Sequence, residues 1–239
     1  MDKKLAVVFG GSRGIGAACV QALCADGFEL AYTCTGAAPA PSRVAGRQVR
    51  AYTADIRDPQ QVAQVFEAAA RDFDARPICV VANAGINVPP APLAQFDPAR
   101  FRELVEVNIV GAFNILAEAA RQVADGGSII ALTTSMVRVA IPNVGPYTAT
   151  KAAVESLVRA LSRELAARKV RVNAVAPGPV DTDLFRAGKD EAAVQRSAAL
   201  SPFNRIGTPD EVASVVAFLA SGKASWMHGQ VVQPNGGQV

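Results

Sequence analysis

Leu5-Ala6-Val7-Val8-Phe9-Gly10-Gly11-Ser12-Arg13-Gly14-Ile15-Gly16 reads as a buried strand, a glycine turn and the start of a helix. The apolar run Leu5–Phe9 is too short for a helix, and Val7, Val8 and Phe9 favour a pleated, buried backbone. From Ile15 to Asp26 apolar residues recur at helical spacing. The glycines between, at G-x-x-x-G-x-G spacing, permit a tight turn and a close approach of backbone to a pyrophosphate. That group would sit on the free N–H groups and positive dipole end of the helix. Gly10, Ser12, Arg13, Gly14, Ile15 and Gly16 are therefore candidate dinucleotide contacts. A turn with no ligand is the competing reading, and the strand before and helix after favour the nucleotide.

The same alternation continues outward. Further strands are expected at Glu29–Cys34, Val49–Thr53, Ile78–Ala82, Ser128–Thr133, Val170–Val175 and Gln230–Gln233. Helices are expected at Pro59–Phe73, Arg100–Val123, Pro146–Arg168 and Pro209–Ala220, with Asp58-Pro59 and Thr208-Pro209 as cap and first-turn proline. Such alternation predicts an α/β fold: one domain over residues 1–239, a doubly wound parallel Rossmann-type sheet of about seven strands with helices on both faces. Two places break the rhythm. Gly36–Pro41 has room for at most a short helix, and Gly178–Arg205 is a long connection without a strand. A loop of that length suggests a substrate lid, over 179–205.

Composition removes several classes of function. Half of the 239 residues are hydrophobic, mean hydropathy is +0.20, and 24 basic against 21 acidic residues give a net charge of +3. The charges are dispersed, so no nucleic-acid partner is expected. No apolar run approaches the ~18 residues of a membrane helix, and Met-Asp-Lys-Lys before Leu5–Phe9 is too brief an opening for a signal peptide. Cys19, Cys24, Cys34 and Cys79 form no C-x-x-C pair and suit buried thiols in a reducing, cytoplasmic setting. With one histidine, His-based metal sites and Ser-His-Asp triads are not expected.

Charge also bears on the nucleotide. NAD-binding sheets place an acidic residue about 20 residues beyond the glycines, on the ribose 2′-hydroxyl. Here no Asp or Glu occurs from Leu30 to Ala54, whereas Arg13 lies in the turn and Arg43 beyond the second strand. Guanidinium groups suit a 2′-phosphate, so NADP(H) is the expected cofactor. Pro146-Tyr147-Thr148-Ala149-Thr150-Lys151 opens a long helix with phenol and ammonium one turn apart on one face. A nearby cation stabilises a phenolate, so Tyr147 could serve a developing alkoxide as acid, or as base in reverse. The pair would also suit a plain helix-surface contact.

The glycine turn, Asp55-Ile56, Ala82-Asn83-Ala84-Gly85, Val107-Asn108, the Ser135/Tyr147/Lys151 set and Asn173-Ala174-Val175-Ala176-Pro177-Gly178-Pro179 together resemble the short-chain dehydrogenase/reductase family, in its order and at its spacings. The resemblance extends to the closing Gly229-Gln230…Asn235-Gly236-Gly237, and is greatest to 3-oxoacyl-carrier-protein reductase-type and polyhydroxynaphthalene-reductase-type members. It implies Tyr147 as acid/base, Lys151 lowering its pKa and holding the nicotinamide ribose, Ser135 on the substrate carbonyl and Asn108 holding a relay water. It places Asp55 and Ile56 at the adenine, Asn83, Ala84 and Gly85 beside the adenine ribose, and Pro177, Gly178, Val180 and Thr182 at the nicotinamide. Asn108 could instead satisfy backbone at a helix kink, and Asp55 could cap a turn.

Phe9 stands where the family usually has Thr, and Ala82 replaces the first Asn of Asn-Asn-Ala-Gly. The usual serine offset falls on Thr134, while Ser135 is one residue nearer Tyr147; Ser135 is preferred. These features imply NADPH-dependent reduction of a ketone or 3-oxoacyl-type carbonyl. The alternatives are NADP-dependent alcohol oxidation on the same site, or a nucleotide-binding regulator without turnover. The small-molecule substrate is left open, although Leu184, Phe185, Leu200 and Phe203 suggest an apolar lid. Trp226 and His228 read as packing or subunit-contact residues. Arg100–Val123 and Pro146–Arg168 carry more apolar residues than one core-facing stripe, so a homotetramer is expected, with a dimer as fallback.

Overall fold

The computed structural model describes residues 3–139 and 141–239. Among them, eight strands form one sheet: β1 (Leu5–Phe9), β2 (Glu29–Cys34), β3 (Ser42–Val44), β4 (Arg47–Thr53), β5 (Pro77–Ala82), β6 (Ser128–Leu132), β7 (Arg171–Val175) and β8 (Val231–Val232). Their order is β3-β4-β2-β1-β5-β6-β7-β8, and every neighbouring pair is parallel except β3 with β4. The chain leaves β1 toward β2 on one side and returns to β5 on the other. This reversal opens a crevice at the carboxyl ends of β1 and β5, the place where such sheets bind ligands.

β1 is completely buried because both faces are covered. Leu5, Val7 and Phe9 pack with residues of α2 (Pro59–Phe73), α4 (Ala112–Gln122) and α6 (Gly145–Glu164). Ala6 and Val8 face α1 (Gly14–Ala25) and α9 (Pro209–Ala220) on the other side. Phe9 lies 5.5 Å from the Phe66 ring, and Ala82 joins the same core. The polar residues expected at these positions are replaced by packing. Asp58 caps α2 by accepting from Gln60 N and Gln61 N, and Thr208 with Glu211 forms a capping box on α9.

The structure corrects the expected sheet in one place. Residues 36–41 form no helix, and β3 and β4 make an antiparallel hairpin at the sheet edge, giving eight strands instead of about seven. Its two-residue turn, Ala45-Gly46, has positive φ at both positions, +48° and +77°. The helix expected over Arg100–Val123 is divided: α3 (Pro98–Val105), a π-helical segment over Glu106–Gly111, then α4. The strandless connection after β7 carries α7 (Asp183–Arg186) and α8 (Glu191–Ala198), following the short α5 (Met136–Val139) that precedes α6.

Candidate active site

The glycine turn at the end of β1 is tight and leads into an uncapped helix. Gly10 and Gly14 adopt positive φ, and a Cβ on Gly16 would stand 1.9 Å from the carbonyl oxygen of Gly10. Gly10 N donates to Thr33 Oγ1 at 2.9 Å, and Asn83 Nδ2 donates to Gly10 O at 2.8 Å, so β2 and β5 both fix the turn. No side chain caps α1; the Arg13 side chain leaves its first N–H groups free. A groove of about 750 Å³ runs from this turn past Thr33–Gly36, Asp55–Arg57 and Asn83–Ile86. Shape and donors therefore fit a dinucleotide phosphate chain.

Carboxylates border this groove from Asp55, Glu103 and Asp183, none of them at the end of β2. Arg57 grips the Asp55 carboxylate at 2.5–3.0 Å and holds its pKa below the usual range. Arg13 lines the groove, but Arg43 does not: it lies on β3 and donates to Gly46 O. Arg57, absent from the sequence reading, is the second guanidinium there. Thr182 caps α7 by accepting from Phe185 N and packs over Gly14, while Val180 is buried and bridges to Gly207.

At the far side of the crevice, α6 presents Tyr147 and Lys151. Tyr147 lines a second cavity of about 230 Å³, together with Thr134, Pro177, Gly178, Leu184 and Phe185. Leu200 also lines it, whereas Phe203 is 70% exposed and stands outside. Burial pushes the Tyr147 phenol up to about 12 and the Lys151 ammonium down to about 8. Lys151 Nζ donates to Leu132 O at 3.1 Å. The lowering of the tyrosine pKa implied for Lys151 is thus absent from the protein alone, where desolvation raises it instead.

Asn108 sits in the π-helical segment. Its Oδ1 accepts from Ile86 N at 2.9 Å, and its Nδ2 donates to Ile86 O at 2.9 Å and to Thr150 Oγ1 at 3.2 Å. Its amide therefore satisfies loop backbone and ties that segment to α6. A Cβ on Gly85 would lie 3.0 Å from Asn108 Oδ1 and 3.3 Å from Lys151 Nζ, so these three converge. Ser135 is fully buried, and its hydroxyl donates to Gln238 Oε1 at 3.0 Å. The neighbouring Thr134 lines the cavity, its oxygen accepting from Met136 N. Just beyond, Arg138 makes a bidentate pair with the buried Glu155 at 2.8 and 2.7 Å, locking α5 to α6. The sequence reading missed both partners of this clamp and Gln238; their contacts are non-local and leave no motif.

A further cavity, about 1330 Å³, lies at the opposite, amino-terminal end of the strands, beside Lys4, Phe28, Gly127 and Val170. His228 lines it but is structural: its ring bonds Val172 N and Ser162 O. Among the described residues there is no cluster of His, Cys, Asp and Glu able to hold a metal ion, and no helix long and apolar enough to cross a membrane.

The family described as enoyl-(acyl carrier protein) reductase matches residues 10–238. A short-chain type dehydrogenase/reductase of Picea abies is 41% identical, over 99% of this chain and 92% of its own length. The chain belongs to the short-chain dehydrogenase/reductase family. Within this family it is 37% identical to an NADPH-dependent aldehyde reductase-like protein, chloroplastic, of Arabidopsis thaliana, covering 99% of this chain and 94% of that one. A blue fluorescent protein from a metagenomic library, solved in complex with NADPH, superposes with a TM-score of 0.88 at 32% identity, covering 99% and 98% of the two chains. This short-chain dehydrogenase/reductase thus shares its fold with a protein that binds NADPH.

Proposed function

We propose that the protein is an NADP(H)-dependent carbonyl reductase, converting a ketone or 3-oxoacyl-type carbonyl to a secondary alcohol. The observation that carries this reading is the placement of Tyr147: its phenol lines a cavity beside the glycine cradle, one turn of α6 from Lys151, where it can give a proton to a carbonyl oxygen bound there. Burial raises the Tyr147 phenol and so favours its acid form over the phenolate that alcohol oxidation would draw on. The cofactor names of the Arabidopsis relative and of the metagenomic protein support NADPH, as do Arg13 and the acid-free end of β2.

NADPH, when bound, supplies the hydride. Gly10, Ser12, Arg13, Gly14, Ile15 and Gly16 would hold its phosphates, Asp55 and Ile56 its adenine, and Asn83, Ala84 and Gly85 the adjacent ribose. Pro177, Gly178, Val180 and Thr182 would border the nicotinamide, with Lys151 on its ribose. Tyr147 gives its proton to the carbonyl oxygen, Ser135 orients that oxygen, and Asn108 holds the loop behind Lys151 and positions a relay water. Segment 179–205 acts as the lid, its Leu184, Phe185 and Leu200 excluding water from the reacting carbon.

The functional unit in this reading is a homotetramer. Phe101 on α3 and Phe113 on α4 are 41% and 52% exposed, and Trp226 is 97% exposed. Pairing α3, α4 and α6 with their copies across a two-fold axis would cover the first pair, and a second axis would cover Trp226. The four free thiols, three of them buried, support a cytoplasmic setting. A panel of ketones, aldehydes and secondary alcohols assayed with NADPH and NADH tests the proposal. Carbonyl-dependent loss of reduced-nicotinamide absorbance is expected, and its absence across the panel would overturn the assignment.

A further inference from the structure

Residues 234–238 are tied to the rest of the fold by a set of hydrogen bonds. Gly178 N donates to Pro234 O at 3.2 Å, Ser201 Oγ donates to Gly236 O at 2.6 Å, and Asn235 Oδ1 accepts from Gly237 N and Gln238 N at 3.0 and 3.2 Å. Ser201 and Asn235 are both buried. Gly236 and Gly237 supply the left-handed backbone, φ +63° and +80°, that turns the tail back toward the site. The backbone of Gln238 is therefore held, and its side chain lines the substrate cavity.

That side chain covers Ser135. A serine hydroxyl has one proton to donate. Here it goes to Gln238 Oε1, and Ser135 has no exposed surface. The acceptor is an amide carbonyl oxygen, the same kind of atom as the oxygen of a ketone. Gln238 Nε2, meanwhile, is enclosed and has no hydrogen-bond partner among the described residues, which makes the resting contact costly and ready to yield.

We propose that Gln238 is a specificity-determining residue whose amide carbonyl occupies the place of the substrate's carbonyl oxygen on Ser135, so that a substrate must displace it to bind. This rests on the carbonyl-reductase reading with Ser135 as the orienting hydroxyl. An oxygen that accepts strongly enters; a weak acceptor does not. Small primary carboxamides, which reproduce the Gln238 side chain, are the ligand class that competes for the position.

Two substitutions with opposite expected signs test it. Gln238→Ala removes the competitor, so kcat/KM for a reduced ketone should rise about three- to tenfold, through a lower KM, the scale of one neutral hydrogen bond. Gln238→Glu supplies a stronger, charged acceptor, so KM should rise. A tail that matters only for packing would move both variants in the same direction, and that result, or an unchanged KM in Gln238→Ala, overturns the proposal. Acetamide, the excised fragment, gives a readout without turnover. In saturation-transfer NMR it should bind Gln238→Ala with NADP+ and bind neither wild type nor the Ser135→Ala/Gln238→Ala double variant. Failure to bind Gln238→Ala contradicts the displacement. Wild type that reduces no carbonyl contradicts the reductase reading instead, and acetamide still reports on Ser135.

Discussion

Tyr147 and Lys151 share one face of α6, and burial reverses the usual order of their ionisations: the phenol rises to about 12 while the ammonium falls to about 8. With rising pH the lysine loses its charge while the tyrosine still holds its proton. In the proposed reaction, reduction draws on both the acid form of Tyr147 and the cation of Lys151, so its kcat/KM should be level at neutral pH and decline through about 8. Alcohol oxidation, drawing on the phenolate, should keep climbing in the alkaline range. Lys151→Arg, permanently charged, should move the decline upward if it folds. Steady-state pH profiles in both directions check this; a reduction rate that grows through pH 8 would contradict it.

Ser135 and Thr134 can be separated by substitution. Ser135→Ala should lower kcat/KM by about 10²-fold, the scale for losing one donor to a developing oxyanion. Thr134→Val, which removes the hydroxyl beside it, should cost less than about tenfold. The geometry makes the comparison informative, because Thr134 lines the cavity and Ser135 lies beneath Gln238. The opposite ranking would transfer the orienting role to Thr134.

Arg13 should set the cofactor preference. Arg13→Ala is expected to weaken NADPH binding by about 1–3 kcal/mol, the scale of charge-assisted contacts to a phosphate, and to leave NADH nearly unchanged. Fluorescence titration with both nucleotides measures it. Equal losses for the two would place Arg13 on a shared phosphate and leave the selectivity to Arg57.

How much of this was legible in the sequence depends on how local each signal is. The glycine turn reads directly, because a Cβ at Gly16 would collide with Gly10 O only a few residues away. The caps Asp58 and Thr208 act within their own first turns and read equally well. β3 was hidden because Ser42-Arg43-Val44 is a short, largely exposed edge strand whose turn uses Ala45 where Asn or Asp usually marks the left-handed position. The π-helical segment around Asn108 inserts one residue into a helix without changing the composition, so the apolar periodicity ran through it. Gln238 and the Arg138–Glu155 clamp depend on contacts across the fold, and periodicity carries no trace of them.

The exposed aromatic residues predict assembly. Light scattering at micromolar concentration should find a tetramer near four times 24.8 kDa. Phe113→Glu, which puts charge on the exposed face of α4, should shift it toward smaller species. A stable, active species of 24.8 kDa would refute the tetramer.

The most direct measurement of the central claim is Tyr147→Phe, assayed for NADPH-dependent carbonyl reduction beside a cofactor titration. The ring that packs against the cavity is kept and only the proton donor is lost. Turnover should fall by about 10²–10⁴-fold with NADPH affinity essentially retained. A variant that binds NADPH and reduces the carbonyl at the wild-type rate would contradict the assignment of Tyr147 as the acid.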